Sequence, residues 1–175
     1  MSKLITRDQW RAFMNTGTAG QNEQYNLIGE GFTSFSEAKN PKEYSRQYVH
    51  EKTERSDVVG YAPSIAYSAD MHSGNPCVER VAKAHDEEQI GNATHVDIIV
   101  VNMWEAGTAA KSYVAYKRTY SIVPDGKGDG SEAVIYSGTL KAVGDAVKGS
   151  ATISADGATA TFTPDAATEP ADAGE

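Results

Sequence analysis

The sequence predicts a mainly β domain: two packed antiparallel sheets, sandwich- or barrel-like, with one central flanking α-helix and a long charged loop. Three observations predict it. About seven segments alternate apolar and polar residues as half-buried strands do. A single segment carries a full set of helix start signals. Turn dipeptides such as Gly144-Asp145 and Asp156-Gly157 separate the alternating segments of the second half.

At the N-terminus a short helix is expected. Thr6 and Gln9 have capping-box spacing, Ile5 can staple to Trp10, and Trp10, Phe13 and Met14 share one helical face before Gly17. TGTAGQNEQ follows as a polar connector. From Tyr25 the period shortens: YNLIGEGFTSFSE reads as strand, with Gly29 and Gly31 marking a bulge or close backbone approach. Asn40-Pro41 makes a turn, and Ala62 to Met71 alternates with Ile65, Tyr67 and Ala69 on one face.

The one well-signalled helix has Asn75 as N-cap, Pro76 at its first position and Gly91 as a stop. Val78, Val81, Ala82 and His85 give it a narrow apolar stripe. Asp86-Glu87-Glu88 opposes a helix C-terminus, so the helix is expected to fray there. His95 to Met103, Lys111 to Val123, Ala133 to Val143, Val147 to Ile153 and Ala158 to Thr163 read as strands. PDGKGDG between the second and third reads as a turn, and Gly144-Asp145 and Asp156-Gly157 as hairpin turns. Residues 1–163 make one domain, and residues 164–175 an acidic, disordered segment.

Lys42 to Tyr61, KEYSRQYVHEKTERSDVVGY, stands apart. Tyr44, Arg46, Tyr48 and His50 alternate on one side, and the chain then runs into Glu51, Lys52, Glu54, Arg55 and Asp57. Mixed charge at this density cannot be buried in the chain's own core. It forms either a solvated loop or a surface for another copy, where paired charges set register.

Composition narrows the function classes. The 175 residues contain one cysteine, Cys77, so no internal disulfide framework is expected, and synthesis in a cytoplasm is. No apolar run reaches the length of a membrane span, and MSKLITRDQW does not read as a secretory signal. Asp165, Glu169, Asp172 and Glu175 hold half of the net charge of −8, leaving a mildly acidic body without the clustered Lys and Arg of a nucleic-acid binder. An acidic surface repels DNA instead.

Catalytic patterns find little support. His50, His72, His85 and His95 share no metal-ligand spacing. His95-x-Asp97 reads as an ordinary strand pair, and Cys77, lacking a nearby base, as a small helix residue. Asp125 to Gly130 has Lys127 and Tyr136 where a calcium loop needs oxygen ligands. No phosphate loop or nucleophile elbow occurs. No catalytic, cofactor or metal residue is therefore assigned.

Several stretches resemble the major tail tube proteins of long-tailed (siphovirus-like) bacteriophages. They are TRDQWRAFMNTGT, YNLIGEGF, AKNPKEYSRQYVHEKTERSDVVGYAPSIAYSAD, VNMWE and KRTYSIVPDGKGDGSEAVIYSGTLKAVGDAVKGSATIS, spread from residue 6 to about residue 163. The resemblance implies two packed sheets, a flanking helix and an arm-like loop, in a non-enzymatic virion protein. It implies hexameric rings joined through their sheets and stacked into a hollow tube that conducts DNA during ejection. The chain's partners would be further copies of itself, the tape-measure, distal tail and tail terminator proteins, and DNA in transient passage. It would need no cofactor and contact no membrane. Tyr44, Arg46, Tyr48, His50, Glu51, Lys52, Glu54, Arg55 and Asp57 become the candidate contacts between subunits or rings. A contractile-tail inner tube, a monomeric carbohydrate-binding β-sandwich and a hydrolase built on His95 and Asp97 are the alternative readings.

Overall fold

The computed structural model describes residues 2–17, 23–128 and 130–165. Its strands are β1 (Trp10–Asn15), β2 (Tyr25–Leu27), β3 (Phe32–Ala38), β4 (Pro41–Arg46), β5 (Arg55–Tyr61), β6 (Ser64–Asp70), β7 (His95–Ala106), β8 (Tyr113–Gly128), β9 (Ile135–Ala142), β10 (Val147–Ile153) and β11 (Thr159–Pro164). One α-helix, α1 (Pro76–Asp86), lies between β6 and β7. The domain is mainly β, as the alternation predicts.

Nine strands form one antiparallel sheet in the order β10-β11-β2-β1-β7-β8-β9-β6-β3. The sixteen-residue β8 makes this sheet fold over itself. Its first half pairs with β7 on one side and with β10 on the other, from Tyr113↔Ala151 to Lys117↔Val147. That closes a six-strand ring, which removes the edges of those strands where they pair. The second half of β8 carries β9, β6 and β3 away from the ring.

Two cores result. Phe13, Tyr25, Ile99, Val101, Ala115, Ala151 and Ala160 fill the ring. Met14, Ile65, Tyr67, Val81, Val96, Ile98, Tyr120, Ile122 and Leu140 pack with α1 on the other side. β1 and β7 separate the two, so both of their faces are buried. Burying an isoleucine is worth about 2–3 kcal/mol, and Ile98 and Ile99 are both wholly buried on opposite faces. Tyr67 lies directly across from Gly138, where an added Cβ would sit 2.6 Å from its hydroxyl. The glycine makes room for the ring.

Helix α1 starts as its signals require. The Asn75 side chain accepts from the Cys77 and Val78 amides, and Pro76 takes the first position. It ends at Asp86, before the acidic run is complete, rather than at Gly91. Gly31, at φ +89°, lets the chain pass under the helix, since a Cβ there would lie 2.8 Å from Val78 Cγ2.

Further expectations are corrected, among them the Asn40-Pro41 turn, which lies inside one continuous hairpin with Pro41 opening β4. The Thr6–Gln9 capping box forms, but it caps only a 3₁₀ turn, and Trp10 to Met14 are strand β1. The PDGKG stretch is the end of β8, with a register shift between Pro124 and Gly126 in place of a turn. Gly144-Asp145 joins β9 to β10, which follow one another along the same edge of β8, Ala142 facing Tyr120 and Val147 facing Lys117, so they make no hairpin. The described residues form eleven strands rather than about seven. The Asp156-Gly157 hairpin does form, between β10 and β11. The polar connector lies partly, and the acidic segment mostly, outside the described residues.

Candidate assembly surface

β3 pairs with β6, and β4 pairs with β5 as a separate two-stranded ribbon. The two pairings are one hairpin. Ala38 faces Ser64 and Pro41 faces Tyr61, three residues further on along each strand, so the register runs unbroken from sheet to ribbon. At the joint the Ala62 amide donates to the Asn40 carbonyl (3.1 Å). The Asn40 side-chain amide donates to the Ala62 carbonyl (3.0 Å) and to Ser64 Oγ (2.9 Å). Asn40 takes a left-handed φ of +44°, a conformation asparagine tolerates well.

Beyond that joint no described residue is wholly buried, although the Glu51 side chain is only 14% exposed. Every residue of β4 is exposed, and so is every residue of β5 except the half-buried Gly60. Six residues at roughly 3.3 Å each make the β4 part about 20 Å long, before the turn. A two-stranded ribbon is at best marginally stable alone in water, and both outer edges of this one are unpaired among the described residues.

The expected contact residues all lie on this arm, but the strand carrying them stops at Arg46, short of the full alternation. Tyr44 and Arg46 are in β4, where Arg46 Nε donates to the Tyr44 hydroxyl (2.8 Å). Tyr48 and His50 sit in the turn, with stacked rings 6.3 Å apart. Glu51 pairs with Arg55, and its same carboxylate oxygen lies 3.7 Å from His50 Nε2. His50 and Arg55 are largely exposed, but Glu51 is not, and its second carboxylate oxygen is buried without a hydrogen-bond partner among the described residues. Lys52, Glu54 and Asp57 have no side-chain partner among the described residues, which leaves their charge available. Apolar side chains accompany the charge: Val58, Val59 and Tyr61 are 53%, 65% and 62% exposed, and Val49 is fully so. The sequence reading passed over these four. Their signal is β-branched or aromatic residues in a stretch with no core of its own.

The catalytic candidates are absorbed by the structure. Asp97 accepts from Thr119 Oγ1 (2.5 Å) and lies 3.5 Å from Lys117 Nζ. Burial pushes the Cys77 thiol up to about 12, and its Sγ lies 3.4 Å from the Asn26 carbonyl. Lys127, in the rejected calcium loop, is 2.8 Å from Asp86. Among the described residues, no group of three or more His, Cys, Asp or Glu is placed to hold a metal. No helix there is long and apolar enough to cross a membrane.

A solved chain described as "Tail of empty GTA particle computed with helical refinement, C6 symmetry" superimposes with a TM-score of 0.51 at 11% identity, covering 82% of this chain and 97% of that one. A second, from "Cryo-EM structure of the anti-feeding prophage cap (AFP tube terminating cap)", gives 0.50 at 14%, covering 94% of each. The chain shares the fold of these two chains. No protein-family model and no curated protein matches the sequence. That fold accounts for almost the whole described chain, and at these identities it is the fold that is shared.

Proposed function

We propose that this chain is a structural virion protein, a tail tube subunit that performs no reaction. Copies assemble into hexameric rings, and the rings stack into the hollow tube that conducts DNA during ejection. The observation that carries this reading is the hairpin whose outer half leaves the body with both edges unpaired. Such a ribbon gains order by docking, and a neighbouring copy supplies both the missing strand edge and the missing apolar cover. Closed rings satisfy every copy equally, because each donates one arm and receives one. The C6 symmetry of the tail in the first neighbour supports six copies here.

On this reading Tyr44, Arg46, Tyr48, His50, Glu51, Lys52, Glu54, Arg55 and Asp57 contact the next subunit or ring. The further partners are the tape-measure, distal tail and tail terminator proteins. The protein is made in the host cytoplasm and resides in the virion. Electron microscopy of the purified protein in negative stain tests the proposal. Tubes or six-fold rings are expected. A single-subunit mass at high concentration, with shifts on adding sugars, would favour the carbohydrate-binding module instead.

A further inference from the structure

The arm has two unlike faces. β4 and β5 shift register between Lys42 and Glu43, and Val59 is left without a partner across the ribbon. Tyr61 lies opposite Pro41, and Val58 opposite Glu43. Pro41 and Glu43 are two residues apart, so this bulge turns Tyr61 to the face that holds Val58. Ser45 and Ser56 complete that face, hydrogen-bonded to each other at 3.1 Å. Ser56 Oγ also donates to Glu43 (3.4 Å), the one charged side chain among these paired residues. The opposite face carries Lys42, Arg46 and Arg55 against Asp57. One face of the arm is thus apolar and acidic, and the other basic.

A groove that complements the first face lies on the body. It has a volume of about 700 Å³ and runs between the N-terminal turn, β3 and the Asp156-Gly157 hairpin. Trp10, Leu27, Ile28 and Phe35, all half-buried, give it an apolar lining. Arg7 and Arg11 add two cations whose hydrogen bonds go to backbone. Arg7 Nη1 donates to the Trp10 carbonyl (2.7 Å), and Arg11 Nε to the Asp8 carbonyl (3.2 Å). Neither makes an ion pair among the described residues, although Asp8 and Asp156 also line the groove. Asp156 is held instead by Ser154 Oγ (2.5 Å) and the Ala158 amide (3.1 Å).

The arm does not fill the groove of its own chain. Glu43 lies eight residues beyond Phe35 along one side of the hairpin, roughly 26 Å at 3.3 Å per residue, and Val58 and Tyr61 stay exposed. Two different surfaces that match each other join copies head to tail, as a closed ring requires.

We propose that the Val58–Tyr61 face of the arm docks in this groove on a second copy. Val58 and Tyr61 cover Leu27, Ile28 and Phe35, and the Glu43 carboxylate accepts from the Arg7 and Arg11 guanidinium groups. Docked by its other face, the ribbon would set Arg46 and Arg55 against those arginines, so charge selects which face enters. The inference rests on the assembly reading and names the surface that receives the arm.

The test mixes copies carrying Val58→Cys with copies carrying Leu27→Cys under oxidation; Cys77 is wholly buried and takes no part. A disulfide joining positions 58 and 27 of two copies, mapped by peptide mass, is expected. Arg7→Glu with Arg11→Glu in the Leu27→Cys copy should cut its yield about tenfold. Adding Glu43→Lys to the Val58→Cys copy should restore most of it, which also shows that the reversed copy is folded. No such disulfide in samples whose negative stain shows rings or tubes overturns this proposal alone. Neither disulfide nor rings nor tubes overturns the assembly reading with it. A yield unmoved by the charge changes overturns the pairing of Glu43 with the two arginines.

Discussion

Asn40 and Ala62 bind each other twice, backbone amide to carbonyl and side-chain amide to carbonyl, where the hairpin leaves the sheet. This pair is the mechanical link between a packed body and an arm that, among the described residues, joins neither core. The arm's direction is fixed there, since no other buried contact restrains it.

Asn40→Ala removes the side-chain bonds to Ala62 and Ser64 and places a Cβ-bearing residue less suited to a φ of +44° at the joint. Because the site is exposed, we expect a loss of only about 1 kcal/mol in global stability. Amides of residues 42–61 should exchange faster with solvent, while those of β7 keep their protection. Hydrogen exchange read residue by residue checks both halves of this expectation.

Ile98→Ala and Ile99→Ala should each cost about 3 kcal/mol in a denaturant titration. On a strand with one solvated face, only one of two adjacent residues would be sensitive. Here Ile98 belongs to the helix-side core and Ile99 to the ring core, and both are wholly buried. A neutral result at either position would contradict the two-core arrangement.

Asp86 ties α1 to the end of β8 and to β9. The Lys127 ammonium, hydrogen-bonded to it, and then the Tyr136 hydroxyl (2.8 Å) hold its carboxyl below the usual 3.8. A depressed carboxylate pKa adds stability that is present above the unfolded-state value and is lost as pH falls through the folded one. The window is thus the region below about pH 4. Asp86→Asn should flatten the acid limb of the stability curve there, and thermal melts across that range measure it.

Much of this was legible in the sequence, and the misses have physical causes. Asn75-Pro76 and the face Ile65, Tyr67 and Ala69 read correctly because capping and one-sided burial leave local marks. Trp10, Phe13 and Met14 misread as a helix face because β1 is buried on both sides, which erases the alternation of period two. Pro124 and Gly126 misread as a turn because a bulge uses the same residues. Gly144-Asp145 does not reverse the chain, because β9 and β10 pair in succession with one edge of β8, a long-range pairing with no local mark. In the arm, the charge between Glu51 and Asp57 marked an unburied segment. The unbroken register from Ala38↔Ser64 to Pro41↔Tyr61 has no local mark at all, since it follows from pairing across more than twenty residues.

Deleting Glu51 to Asp57 tests most directly the claim that the arm exists for assembly. The deleted segment, the end of the turn and the first three residues of β5, contributes nothing to either core, so the variant should melt within a few degrees of the intact protein yet remain a monomer by sedimentation, with neither rings nor tubes in negative stain. Normal tubes from the deletion variant would contradict the account.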